Sequence, residues 1–232
     1  NNFFNSVFFR QTQILPIGQT QYLYGTGENS SYELGLGNGN NADKNVYEKI
    51  YYDPVAKSYP ITNVKQVVNG YKYTLILLHN GTILGCGRND FGQLGIGDAS
   101  DTTYNKFTVV SGITDIEYIA THNDSIANES PATFLIKRNG TVLTAGRNNY
   151  NDLGLDGLVG AGPRVFTQIY KKRHNTTEFI LNKVTKIAVS KTGALLLTTD
   201  GEIYSCGSRA GYGNGLSDGS SAYFIRITED GT

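Results

Sequence analysis

The chain has 232 residues, and its 20 Lys plus Arg against 20 Asp plus Glu give a formal net charge of zero. That length suits one large or two small domains, and a neutral chain lacks the long-range field that drives non-specific nucleic-acid binding. Charged residues make up only 17% while Gly (28) and Tyr (16) are abundant, a composition of short strands and tight turns that leaves little for Ala-, Leu- and Glu-rich helices.

Residues 1–21 open with "NNFFNSVFF", which is apolar but short and interrupted by Asn. No apolar run in the chain approaches the roughly 18–20 residues that cross a bilayer, so no membrane insertion is expected. The charged n-region and small-residue cleavage site of a signal peptide are missing, and 1–21 reads as an N-terminal arm or a strand from a preceding element. With no Met at all, the chain reads as a processed product or a piece of something longer.

From residue 22 onward one pattern recurs. "LYGTGENSSYELGLGNG" (23–39) and "GRNDFGQLGIGD" (87–98) share a Gly, an Asn and a Leu-Gly-x-Gly run. "LTAGRNNYNDLGLDG" (143–157) is a third copy and "YSCGSRAGYGNGLSDG" (204–219) a worn fourth. The leading glycines Gly27, Gly87, Gly146 and Gly207 are spaced by 60, 59 and 61 residues. Upstream of the last three run "LILLHNGTILGCG", "FLIKRNGTVLTAG" and "LLLTTDGEIYSCG", with Asn80-Gly81, Asn139-Gly140 and Asp200-Gly201 at their centres. Such dipeptides between apolar runs predict two-residue type I′ hairpins, in which both turn residues take positive φ. Repeats starting near 22, 75, 134 and 195 are each too small to bury a face alone, so they stack as propeller blades or a solenoid.

The sequence resembles the regulator of chromosome condensation repeat family. That family's repeat has an apolar strand, a Gly turn, a second strand ending in Gly, then Asn and a Gly-Gln-Leu-Gly-x-Gly-Asp run. Gly87, Asn89 and residues 92–98 match that run, including Gly92, Gly95 and Gly97. Val64, Val67 and Gly70 match its approach, and Pro54-Val55 and Pro163-Arg164-Val165 its Pro-Val. The resemblance extends over about 22–232 and implies an all-β propeller fold, usually of seven four-stranded blades. Departures are Tyr73 and Gly193 where the family has His, and Thr26, Cys86, Ala145 and Cys206 where it has Trp. A seven-bladed ring of such repeats needs roughly 420 residues, so about four repeats predict an incomplete ring. "TEDGT" at 228–232 looks like a further hairpin turn with its second strand missing.

Little in the chain points to chemistry. The Gly-rich loop lacks the Lys-Ser/Thr of a Walker site, and a motif recurring once per repeat is a component of the repeat. His79, His122 and His174 show no metal-pair spacing, and the acids at 97–101 lack EF-hand spacing. Cys86 and Cys206 occupy one repeat position, two repeats apart, and read as small buried residues. Six Asn-x-Ser/Thr triplets are about twice the chance number in so Asn-rich a chain, and carry no evidence for secretion. No catalytic, cofactor or metal residue is predicted. Lys171-Lys172-Arg173-His174 is the one basic run and a possible partner contact, though such a run usually lies on a solvated loop. Tyrosines 22, 24, 51, 52, 59, 71 and 73 include candidates for an exposed binding face.

The expected function is a non-enzymatic module that binds another protein or further copies or blades of its own assembly. The neutral, Gly/Asn/Tyr/Thr-rich composition fits a virion or other extracellular structural component. The alternatives implied by the resemblance are guanine-nucleotide exchange on a small GTPase, although no β-wedge can be located, and a segment of a multidomain ubiquitin ligase.

Overall fold

Alternating apolar residues build a series of antiparallel meanders. A computed structural model describes residues 6–9, 22–98, 103–122, 131–155, 160, 162–173, 176–180, 182–208 and 221–227, and contains only strands and turns among them. Three four-stranded meanders run in chain order. The second sheet holds β6 (Val64–Gly70), β7 (Tyr73–Leu78), β8 (Ile83–Arg88) and β9 (Thr103–Val109). The third holds β10 (Ile116–Thr121), β11 (Ala132–Lys137), β12 (Val142–Gly146) and β13 (Thr167–Gln168). In the fourth are β16 (Val184–Ser190), β17 (Gly193–Thr198), β18 (Ile203–Gly207) and β19 (Ser221–Arg226).

The first sheet is shorter, with order β1 (Ser6–Phe9), β2 (Leu23–Gly27), β3 (Lys44–Lys49). Its β1 pairs antiparallel with β2 from Ser6↔Thr26 to Phe9↔Leu23, which makes residues 6–9 a strand of this sheet. Two further hairpins sit between consecutive sheets: β4 (Tyr51–Asp53) with β5 (Ser58–Pro60), and β14 (Tyr170–Arg173) with β15 (Thr176–Ile180). The second of these extends the fourth sheet, because Lys171 pairs in parallel with Phe224. Each complete meander also begins with a strand upstream of the repeat starts near 75, 134 and 195, since those positions fall in or just before its second strand.

The core lies between the sheets. Along β7, Tyr73, Leu75 and Leu77 face the third sheet while Ile76 and Leu78 face the first. Both faces of the strand are thus buried, which is why "LILL" (75–78) reads as an unbroken apolar run. Leu23, Leu34, Ile50, Leu84 and Phe107 fill the space between the first and second sheets. Phe134, Ile136, Leu153, Leu196 and Phe224 fill that between the third and fourth, where Phe134 and Phe224 meet edge to face with centroids 6.4 Å apart. The sheets therefore follow one another as propeller blades, and the ring is not closed.

The hairpin turns differ from the expected type I′. Gly81, Gly140 and Gly201 have φ of 85°, 80° and 81°, but Asn80, Asn139 and Asp200 do not take positive φ. Gly81 N donates to Leu78 O and Leu78 N to Thr82 O, and the same pair of bonds recurs at Lys137–Thr141 and Thr198–Glu202. These are three-residue loops, a type I turn followed by a left-handed glycine in a bulge. The Asn contributes its side chain instead: Asn80 Oδ1 accepts from Thr82 N and Asn139 Oδ1 from Thr141 N, each at 3.0 Å.

Candidate interaction surface

The glycine loops are fastened first from within. Asn29, Asn89 and Asn148 are buried, and their Oδ1 atoms accept from the backbone N–H of Leu34, Leu94 and Leu153 at 3.1, 3.0 and 3.0 Å. A buried N–H left without such a partner costs about 1–3 kcal/mol, which explains an Asn two residues after three of the four leading glycines, Gly27, Gly87 and Gly146. In the clearest loop four more amides are also spent. Phe91 N donates to Gln93 Oε1, Gly92 N to Asn89 O, Gly95 N to Gly92 O and Gly97 N to Arg164 O. A phosphate cradle needs these N–H groups free and convergent. Here they face the protein.

Each loop then latches onto the following sheet. Thr74 Oγ1 and Cys86 Sγ donate to Glu33 O at 2.7 and 3.3 Å. Thr133 Oγ1 donates to Gln93 O at 2.8 Å, and Cys206 Sγ to Asp152 O at 3.3 Å. Gly35, Gly95 and Gly154, at φ of 64°, 67° and 68°, lie against the rings of Phe107, Phe166 and Phe224 on the outermost strand, or the segment leading into it, of the next sheet. Isolated bridges Leu36↔Lys106 and Ile96↔Val165 continue the contact in the backbone. Arg164 adds a clamp: its guanidinium donates to the carbonyls of Asn89, Asp90 and Asp98 in the preceding loop. The Phe series, spaced by 59 and 58 residues, was the legible signal that the sequence reading missed.

Buried titratable groups belong to the same latch. Glu33 and Asp152 stand at the position of Gln93, and burial raises both carboxyls, that of Asp152 to about 7. One oxygen of each, Glu33 Oε1 and Asp152 Oδ2, has no hydrogen-bond partner. Burial also pushes the Cys86 and Cys206 thiols well above their usual range, which makes them poor nucleophiles. Both are free and buried. Tyr73 is fully buried, its phenol raised by desolvation and hydrogen-bonded to Ala132 O and Thr133 Oγ1. Among the described residues no group of three or more His, Cys, Asp or Glu could hold a metal ion.

What remains for a partner lies on the surface. Arg88 and Arg147 occupy one position in consecutive repeats, and both sit over the Phe91 ring, at 5.4 and 4.5 Å from its centroid. Arg88 also approaches Tyr71 and pairs with Asp90. The hairpin β4–β5 exposes Val55 (81%) and Tyr59 (77%), and Tyr52 beside them is partly exposed. Lys57 and Tyr59 hold positive φ of 50° and 54°, unusual for side-chain-bearing residues and a mark of a tightly shaped tip. Tyr51, Tyr52 and Tyr59, named from the sequence among candidates for an exposed face, lie on this hairpin, although no repeat periodicity announces the hairpin itself. The basic run Lys171, Lys172 and Arg173 lies on strand β14 and not on a loop, while His174 falls outside the described residues.

Comparison with known proteins agrees with this architecture. The family model described as the regulator of chromosome condensation repeat matches residues 64–93. The chain is similar to the bovine secretion-regulating guanine nucleotide exchange factor, 39% identical over 74 residues, or 32% of this chain and 14% of that protein. It is 28% identical to the human probable E3 ubiquitin-protein ligase HERC4 over 140 residues, 60% of this chain and 12% of that one. Among solved structures, human WBSCR16 superposes with a TM-score of 0.63 at 17% identity, covering 90% of this chain and 49% of that chain. Yeast RCC1 (Prp20), in its complex with Kap60, superposes at 0.59 and 16% identity, covering 92% and 47%. The chain thus spans about half the length of these solved chains and a small part of the curated relatives.

Proposed function

We propose that this chain, a member of the regulator of chromosome condensation repeat family, is a non-enzymatic β-propeller module that binds another protein, with the hairpin β4–β5 as its contact. The carrying observation is the contrast between the two kinds of polar and apolar group. Every glycine loop, thiol and buried acid described above is engaged in joining sheets, whereas Val55 and Tyr59 stand exposed on the β4–β5 hairpin. Aromatic groups presented on a shaped protrusion are the usual anchors of protein interfaces.

The test compares wild type with a Val55→Ser/Tyr59→Ser double variant in quantitative affinity capture. Proteins retained by wild type and reduced more than about tenfold by the variant, at unchanged melting temperature, support the reading. Identical capture by both forms removes the hairpin as the contact.

A second reading, nucleotide exchange on a small GTPase, is favoured by the hairpin itself and by the name of the bovine relative. A panel of GTPases loaded with labelled GDP separates the two, since only an exchange factor accelerates release catalytically. A segment of a ubiquitin ligase is the corresponding reading from the HERC4 similarity. A place in a virion or other extracellular assembly is supported by composition alone.

A further inference from the structure

The hairpin β4–β5 stands between two cavities. Tyr51 and Tyr52 are neighbours on β4 and so point to opposite sides of it. The Tyr52 side opens on a cavity of about 450 Å³ whose lining holds no Lys, Arg, Asp or Glu. The Tyr51 side opens on one of about 410 Å³, walled by Leu36 and Pro54 and by three charged residues, Glu48, Lys49 and Lys57.

The charges of this second cavity do not cancel one another. Glu48 is paired with Lys44 at 3.3 Å, and Asp53, the acid of the hairpin, accepts the Ala56 amide at 3.0 Å. Lys49 has aromatic partners instead: its Nζ lies 3.2 Å from the centroid of the Tyr22 ring and 6.0 Å from that of Tyr51. Rings hold a cation through their quadrupole but leave its charge uncompensated. Lys57 is exposed on the hairpin, at its positive φ of 50°. Among the described residues neither lysine has a carboxylate within ion-pair distance. Residues 1–27 contain no Asp or Glu, so the segment leading through Tyr22 supplies none.

We infer that this cavity takes a carboxylate side chain of the partner, so that the hairpin selects an acidic peptide segment with an apolar residue beside its acid. The inference rests on the reading of the hairpin as the contact and names the chemistry that contact selects. Lys49, held between two rings, loses little side-chain freedom when an anion arrives, and Lys57 adds a second positive charge to the same cavity. Pro54 of the wall is followed in the chain by Val55, which is 81% exposed, so an aliphatic neighbour of the acid finds an apolar contact. One charged and one apolar contact side by side fit a peptide. Nucleic acid is drawn by a broad positive field, which a chain of zero net charge lacks.

The test is selection of a phage-displayed random peptide library on the 232-residue chain, on Lys49→Gln/Lys57→Gln and on Val55→Ser/Tyr59→Ser. Wild type is expected to enrich Asp and Glu by at least about threefold over the unselected library, and the double lysine variant to lose that enrichment. Gln at 49 withdraws a cation from between two rings, so Lys57→Gln alone is the control for folding. It is expected to weaken a selected acidic peptide by about threefold in fluorescence anisotropy, at unchanged melting temperature. No acid enrichment on wild type, or equal enrichment on the double lysine variant, overturns the inference. So does oligo-dT that binds through the same lysines and displaces the selected peptides, since the cavity then serves nucleic acid. The hairpin reading fails separately. Acidic peptides held equally by wild type and Val55→Ser/Tyr59→Ser remove the tip and leave the cavity. Capture lost in that variant, with no acid enrichment on wild type, leaves the tip and removes the cavity.

Discussion

Gly35 lies so close to the ring of Phe107 that a Cβ added to it would stand 2.5 Å from the ring carbon. The same approach joins Gly95 to Phe166 and Gly154 to Phe224, each pair spanning two consecutive sheets. A glycine at these positions meets two demands at once: a left-handed backbone and a ring pressed on the Cα. The glycines that look like a phosphate loop are therefore the contact by which one repeat holds the next.

The three hairpin glycines share one φ but not one environment, so Ala should rank them. Gly201→Ala meets nothing within 4 Å and is expected to cost only the left-handed backbone strain, about 1–2 kcal/mol. Gly81→Ala brings a Cβ to 3.3 Å from backbone of the next turn and should cost slightly more. Gly140→Ala drives it onto the Lys183 backbone and should add roughly 1–3 kcal/mol of overpacking. Urea unfolding measures all three. Equal losses would show that the space beneath the turn plays no part.

Stability should fall as pH rises toward neutrality. Burial raises the Asp152 carboxyl from 3.8 to about 7, so folding favours its neutral form. Its contribution is fully present below pH 4, declines as pH climbs to about 7 and is gone above it, a span of roughly 4 kcal/mol at most. Glu33 acts in the same direction. Exposed Glu117, held down by the Lys65 hydrogen bond, acts in the opposite one. The difference between wild type and Asp152→Asn isolates the buried acid: the variant should gain on wild type steadily from pH 4 to 8. A difference independent of pH would place that carboxyl in water.

ATP, GTP and dinucleotides at millimolar concentration should leave the melting temperature unchanged. A ligand present at a hundredfold excess over its Kd stabilises the folded state by about 2.7 kcal/mol, so real occupancy would be visible. A reproducible rise with one nucleotide would mean that the amides of Phe91, Gly92 and Gly97 are not committed to the bonds seen here.

The repeats were legible because they must be. A latch that joins sheet to sheet needs its Asn, its Leu and its glycines at fixed offsets, and Asn89, Leu94 and Gly95 recur in Asn29, Leu34 and Gly35. The turn type was not legible, since Asn-Gly serves both a two-residue loop and a bulged three-residue one, and only the Leu78–Thr82 bonding distinguishes them. The surface was less legible still. Tyr59 and Val55 belong to a hairpin present between the first and second sheets and absent between the second and third, so no periodicity marks it. Tyr73 looked like a candidate surface aromatic, yet β7 is buried on both faces and Tyr73 packs between the second and third sheets.

A double-mutant cycle between Gly95 and Phe166 tests most directly whether the glycine loops exist to hold neighbouring sheets. Gly95→Ala alone should cost about 2–4 kcal/mol, combining backbone strain with collision against the ring. In a Phe166→Ala background the ring is gone and only the strain of about 1–2 kcal/mol should remain. The account predicts a coupling of at least about 1 kcal/mol between the two sites. Strict additivity would contradict it, because the loop and the ring would then be stabilising the chain independently.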